Sequence, residues 1–304
     1  MVRRFTLALL LTLLSLAAVF PPPAGAQLEP VNVPWPQLLP PAPGSGGPQP
    51  AATASCHTAT LRCVDGVIRR MDAAWQPLDR SCDHRAVFAL TYLITTRGFR
   101  DTLGRDPHFF RDFDWIVHLD ADFADLYFRA FDNYAHHRGF VPRAWRTAFD
   151  AARGDQTNAG QDVFLGMNAH IQRDLPFALA EVGLRMRDSS SRKPDHDQVN
   201  AILVSVMEHI KQELQRRYDS IFQWGSPSQP FPATDQAALE VLKSWREGAW
   251  RNAERLVNAH SASERRSVAQ SIEDNAQLWA QSIVTGTVPG YQAIRDPYCR
   301  QAHA

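Results

Sequence analysis

Apolar residues recur at the spacing of an α-helix throughout the chain after residue 58, and no stretch alternates apolar and polar residues between hairpin turns. A chain with this pattern has to bury helical stripes against one another. We therefore predict an all-α fold, a single multi-helix bundle of about eight helices. The candidate helices cover residues 59–74, 82–98, 108–137, 142–152, 158–184, 195–217, 234–259 and 262–284.

Residues 1–26 are typical of a secretory signal peptide. Arg3 and Arg4 precede an uncharged apolar run over residues 5–20, and small residues ending at Ala26 form a cleavage site. We expect cleavage after Ala26 and a secreted, extracellular protein. A membrane anchor is the less favoured alternative because the apolar run is short for a transmembrane helix. No later segment is apolar enough to cross a bilayer, so we expect no membrane span after signal removal.

The next segment, residues 27–55, is rich in proline and glycine and almost free of charge. Such a composition cannot bury a core, so we predict a disordered, flexible leader. The all-helical domain then covers residues 56–304, with a loop break near 225–233 where glycine, serine and proline cluster.

The charge balance argues against nucleic acid as a partner. Removal of Arg3 and Arg4 with the signal peptide leaves slightly fewer basic residues than the 32 Asp and Glu of the chain. A nucleic-acid-binding domain normally carries a basic surface.

Four cysteines, at positions 56, 63, 82 and 299, suit an oxidising compartment and allow three pairings. If residues 59–74 and 82–98 form an antiparallel helix pair, Cys63 and Cys82 lie roughly 18 Å apart at 1.5 Å per helical residue. Because a disulfide needs Cα atoms within about 7 Å, this pair is the least favoured. We favour Cys56 with Cys63 and Cys82 with Cys299.

Residues 166–176, with the sequence Gly-Met-Asn-Ala-His-Ile-Gln-Arg-Asp-Leu-Pro, introduce polar side chains into an apolar helical pattern. At about 100° per residue, Asn168 borders the apolar stripe on one side, and His170 and Asp174 border it on the other. His170 and Asp174 are four residues apart, so they can hydrogen-bond to each other or bind one cation. Pro176 lacks an amide donor and is expected to kink the helix after Asp174.

An aromatic stripe on the predicted helix 108–137 contains a single carboxylate, Asp120, and includes Tyr127 two turns later. A buried carboxylate must find a partner or stay protonated. A structural hydrogen bond is the simplest explanation of Asp120. The opposite face carries His118 and Asp122 within a charged stripe, which is typical of a solvated surface rather than a metal site.

These stretches together resemble a bacterial family catalogued only as a domain of unknown function, over roughly residues 65–280. The matching segments are Leu119-Asp120, Phe123-Ala124, Tyr127-Phe128, Val141-Pro142-Arg143-Ala144-Trp145, Gly166 to Pro176 and, more weakly, Asp197 to Asn200. The resemblance implies no activity. It does imply that Asp120, Asn168, His170 and Asp174 belong together.

Two functions fit these residues. In the first, the domain is a metal-dependent hydrolase of an ester or phosphoester: His170, Asp174 and Asp120 bind a divalent metal such as zinc, and Asn168 orients water or substrate. In the second, the aromatic stripe with Tyr127 lines a pocket for a small apolar ligand, and the polar residues orient the ligand or form a structural hydrogen-bond network. Serine-hydrolase, nucleotide-binding and redox motifs are absent from the sequence.

Overall fold

A computed structural model describes residue 56 and residues 58–155, 157–222, 234–285 and 290–303. The predicted signal peptide, the predicted leader and the predicted loop break near 225–233 lie outside these described residues. The described residues belong to one compact unit.

The prediction of an all-α fold is confirmed, since every regular element of the described residues is helical. An isolated antiparallel bridge joins Arg185 to Ser191. The helices are α1 (Leu61–Arg80), α2 (Arg85–Arg105), α3 (Phe113–Ala135), α4 (Arg143–Arg153), α5 (Ala159–Met167), a π-helix (Asn168–Asp174), α6 (Leu175–Val182), α7 (Lys193–Arg217), α8 (Asp235–Val257), α9 (Ala262–Thr285) and α10 (Gln292–Ala302). In the part of the chain that is described, no helix combines the length and apolar character needed to cross a membrane.

Both favoured disulfides are present. Cys56 pairs with Cys63 and Cys82 pairs with Cys299, with Cα separations of 6.1 Å and 6.0 Å. The second bond joins the turn before α2 to α10. The sequence pattern missed α10, which is short, carries Pro297 in its interior and has no long apolar stripe. The disulfide holds this helix against the bundle covalently, because the helix has no long apolar stripe to pack there.

The predicted helix over 158–184 is interrupted where Pro176 lies, but as a π-helix rather than a simple kink. The Leu175 amide donates to the carbonyl of His170, five residues earlier, in place of the usual four-residue bond. Pro176, in the first turn of α6, cannot donate a hydrogen bond of its own. The wider spacing over Asn168–Asp174 means that a face drawn at 100° per residue does not hold across this segment.

The π-helix lies in the interior of the bundle, where it contacts α3, α4, α5, α6, α8 and α9. Just before it, α5 approaches α2 closely at Gly166. A Cβ atom at Gly166 would lie 2.2 Å from Cγ of Phe88. Phe88 is buried in the main apolar cluster and cannot swing out to solvent, so this glycine sets the distance between the two helices.

We predict that Gly166→Ala lowers the free energy of unfolding by about 1–3 kcal/mol, because the added methyl group would overlap the Phe88 side chain and force it to shift. Urea unfolding followed by circular dichroism measures the change. Gly248→Ala is the matched control: it lies inside α8 with nothing within 4 Å of the new Cβ. That control should gain up to about 1 kcal/mol from helix propensity, and equal effects of the two substitutions would contradict the close approach.

Candidate functional site

Asp174, one of the predicted site residues, has no solvent exposure. Its Oδ2 accepts a hydrogen bond of 2.7 Å from Nε1 of Trp145, and its Oδ1 accepts one of 2.9 Å from Nη1 of Arg173. Nδ1 of His170 lies 3.5 Å from Oδ2. Arg173 also donates to Glu273 of α9. Both oxygens of the carboxylate are therefore engaged, and its charge is paired with a guanidinium.

Asn168 is equally buried, and its side-chain amide contacts α9. Its amide donates a 2.8 Å hydrogen bond to the Ala276 carbonyl of α9, and its Oδ1 accepts a 2.7 Å bond from Gln172. Gln172 accepts in turn from Asn275. These bonds use Asn168 to join the π-helix to α9.

His170 faces aromatic rings. Its imidazole stacks on Phe123 of α3 with ring centroids 3.5 Å apart and planes 6° apart, and it lies 4.4 Å from the ring of Tyr92 of α2. Burial lowers the pKa of His170, and nearby Asp174 opposes that shift. The ring is therefore neutral near pH 7. Its Nε2 is buried and has no hydrogen-bond partner in the structure.

His170 lines a partly open cavity of about 130 Å³ between α2, α3, the π-helix and its flanking helices, α7 and α8. We call it the aromatic cavity. Most of its wall is carbon, contributed by side chains such as Phe88, Phe99, Ile116, Leu119, Phe123 and Leu242. Its titratable lining residues are Tyr92, Asp120, His170 and Arg246.

Asp120 lies in the wall of this cavity and forms no hydrogen bond with any described residue; its Oδ2 is buried and unpaired. The structural hydrogen bond that the sequence favoured for Asp120 is therefore absent among the described residues. Burial raises the pKa of Asp120 to about 7. The carboxyl is uncharged under mildly acidic conditions, when it can donate a hydrogen bond.

Tyr127 is buried beside the aromatic cavity rather than in its wall. Its ring packs against Phe88 and Trp145, with centroid separations of 5.5 Å and 5.3 Å. It lines a separate cavity of about 20 Å³ next to Gly166. Burial raises the pKa of Tyr127, so the hydroxyl stays protonated.

The three predicted metal ligands do not form a compact donor set. Among the described residues, two groups have three donor atoms within 4.8 Å of one another: Cys82, Cys299 and His303, and His84, Asp155 and Asp296. The two cysteines of the first group are in a disulfide. Neither group contains His170, Asp174 or Asp120. Metal binding by these three residues stays a prediction, which the geometry does not favour.

The prediction of a solvated charged stripe on α3 is wrong at His118. This residue is only 4% exposed and its Nδ1 has no hydrogen-bond partner, whereas the other members of the stripe are exposed or half-buried. The reason is that α3 is contacted by α1, α4, the π-helix and α6, so more than one of its faces is covered.

Sequence reasoning missed Tyr92 and Arg246 as lining residues. Tyr92 lies in α2, where every residue from Ala86 to Ile94 is buried, so no polar face marks it. Its hydroxyl is buried and has no partner. Arg246 follows Trp245 within the apolar stripe of α8. A charged residue inside a buried helix was the signal that could have identified it.

A sequence profile described as Family of unknown function (DUF5995) matches residues 64–286. The range agrees with the resemblance seen in the sequence and includes the π-helix and all four titratable residues of the aromatic cavity. No curated protein and no solved structure matches the chain.

We predict that Asp120→Asn stabilises the protein increasingly as pH rises. Because burial raises the folded-state pKa from 3.8 to about 7, the native protein holds a proton that the unfolded chain releases, and stability falls as pH rises through this range. An uncharged amide removes that loss. The gain should reach at most about 4 kcal/mol above pH 7, at about 1.4 kcal/mol for each pKa unit.

Urea unfolding of the wild type and the variant at pH 5, 6, 7 and 8 tests this expectation. Asp101→Asn, at an exposed position of α2, is the matched control and should change stability by less than about 0.5 kcal/mol at every pH. An Asp120→Asn effect that is the same at pH 5 and pH 8 would show that the carboxyl is not held protonated.

Proposed function

Because the chain belongs to this family of unknown function, DUF5995, we propose its function from the geometry: the domain binds a small, mainly apolar organic ligand that carries a hydrogen-bonding group. The ligand occupies the aromatic cavity. The single observation that carries the proposal is that three of its lining residues, Tyr92, Asp120 and His170, each have a buried polar atom without a partner.

The size and lining of the cavity support this proposal. Its volume of about 130 Å³ is close to that of an engineered apolar cavity of about 150 Å³ that binds benzene. Carbon-lined cavities with a few polar groups are typical of small-molecule sites. Three threonines of α2 also line the cavity, but the hydroxyls of Thr91, Thr95 and Thr96 donate to carbonyls one turn earlier.

The unpartnered atoms favour a polar group on the ligand. A buried polar atom left without a hydrogen bond costs about 1–3 kcal/mol. Several such atoms among the residues that line one cavity are an unusual arrangement for a purely structural core. A ligand hydroxyl would relieve that cost.

The protonation states of the lining residues determine which hydrogen bonds the polar group of the ligand must donate and accept. A proton on Nδ1 of His170 serves the contact with Asp174, which leaves Nε2 as an acceptor. Below about pH 7 the carboxyl of Asp120 is a donor, and the hydroxyl of Tyr92 can donate or accept. A hydroxyl group that donates to His170 and accepts from Asp120 or Tyr92 matches all of these roles.

Metal-dependent hydrolysis of an ester is the less supported of the two functions predicted from the sequence. Asp174 is already satisfied by Trp145 and Arg173. That leaves His170 and Asp120 as candidate donors on the cavity wall, fewer than the three protein ligands typical of a catalytic zinc site.

We predict that p-cresol binds at least tenfold more tightly than toluene at pH 6. The two compounds have nearly the same apolar body. A hydrogen bond to a buried atom that otherwise lacks a partner contributes about 1.4 kcal/mol, which corresponds to a tenfold difference in affinity. NMR titration of the purified protein measures both affinities. If neither compound shifts the resonances of residues around the aromatic cavity, the proposed function is wrong.

Leu203→Trp tests whether the binding occurs in the aromatic cavity, because Leu203 lines it from α7. The larger side chain should fill the space and reduce p-cresol affinity at least tenfold. Val204→Trp is the matched control, since its neighbouring position is 52% exposed and does not line the cavity. Equal affinity in the two variants would place the binding elsewhere.

A further inference from the structure

We infer that the ligand of the aromatic cavity also carries a carboxylate, and that Arg246 binds it. This inference rests on the proposed function and specifies the chemical class of the ligand. Arg246 reaches the cavity wall from α8 and is only 6% exposed. It is the residue of the lining whose charge is permanent at neutral pH.

The guanidinium of Arg246 has neutral partners within the protein. Its Nε donates a 2.8 Å hydrogen bond to Oδ1 of Asn200, and its Nη2 donates to the carbonyl of His196. Within the described ranges, its Nη1 has no hydrogen-bond partner and the side chain has no carboxylate in ion-pair contact. A buried cation that has no carboxylate in ion-pair contact is an energetically costly arrangement.

The carboxylates near Arg246 are paired with other cations. Asp197 lies 2.8 Å from Nζ of Lys193 and 3.1 Å from Nδ1 of His196. Glu247, the next residue along α8, lies 2.7 Å from Lys193 and 2.9 Å from Arg251. These pairs leave the charge of Arg246 without a close anion of its own.

Arg246 stays protonated at neutral pH although its side chain is buried. Burial lowers the pKa of Arg246 to about 10, and Asp197 opposes the shift. The side chain is therefore a cation at pH 6, when Asp120 is mostly uncharged. A carboxylate entering the cavity at that pH meets a fixed positive charge and no ionised acid in the wall.

The free Nη1 of Arg246 favours a carboxylate. Hydrogen bonds from a guanidinium to a carboxylate are about twice as strong as bonds between neutral groups. An aromatic acid with a hydroxyl group would use Arg246 for its carboxylate and the group formed by Tyr92, Asp120 and His170 for its hydroxyl.

The test compares acids with their amides on the unmodified protein at pH 6 and low salt. The probes are 4-hydroxybenzoate, 4-hydroxyphenylacetate and 3-(4-hydroxyphenyl)propionate, each beside its neutral primary amide. We expect at least one acid to bind tenfold or more tightly than its amide, because the amide keeps the shape and loses the charge. Isothermal titration calorimetry measures the ratio.

Substitution of Arg246 assigns the effect to this residue. In Arg246→Met and in Arg246→Gln, the ratio of acid to amide affinity should fall to about one. Arg251→Met is the matched control: it lies on the same helix, pairs with Glu247 and Glu254, and does not line the cavity. The ratio should stay within about twofold of wild type in that control.

The outcomes separate this inference from the proposed function. If p-cresol binds but no acid binds more tightly than its amide, the carboxylate inference is wrong and the proposed function stands. If neither p-cresol nor any acid binds, both are wrong. If an acid is preferred equally in wild type and in the Arg246 variants, a different cation recognises it and the role of Arg246 is excluded.

Discussion

The burial of the Asp174 carboxylate is the constraint on which the rest of the site depends. A charge without solvent exposure has to be matched within the protein. Trp145 of α4 and Arg173 of the π-helix match it. Through Arg173 the same network reaches Glu273 of α9. Removal of one partner would leave an uncompensated charge in the core, so α4, the π-helix and α9 are fixed relative to one another.

The fixed positions of α4, the π-helix and α9 determine which partner each polar side chain of the π-helix contacts. Asn168 is hydrogen-bonded to α9, and Asp174 is hydrogen-bonded to Trp145 of α4. The ring of His170 stacks on Phe123 of α3, and its Nδ1 faces Asp174. The first two residues are satisfied within the protein. His170 keeps a free Nε2 beside the aromatic cavity. In the proposed function, structural and ligand-binding roles fall on different side chains of one short segment, which is consistent with the frequent location of π-helical turns at functional sites.

Much of the fold follows from the sequence because apolar stripes at helical spacing have to be buried. The helices from α1 to α9 lie near their predicted ranges. Helix geometry disfavours a Cys63–Cys82 bond, and the pairing favoured from the sequence is the observed one. The π-helix does not follow, since the pattern of apolar residues gives no signal for a five-residue hydrogen bond. Asp120 and His170 could be singled out as polar groups beside apolar stripes. Tyr92 and Arg246 could not be placed, because only the packing of α2 and α8 brings them to the same cavity.

The most direct test of the account is the ¹⁵N NMR spectrum of the His170 imidazole in the labelled protein, with and without saturating p-cresol. We predict a neutral ring with its proton on Nδ1, held by Asp174, and a resonance of the unprotonated Nε2 that shifts when the ligand hydroxyl donates to it. A proton on Nε2 in the free protein, or an Nε2 resonance that does not move at saturation, would contradict the claim that His170 presents a free acceptor to a ligand.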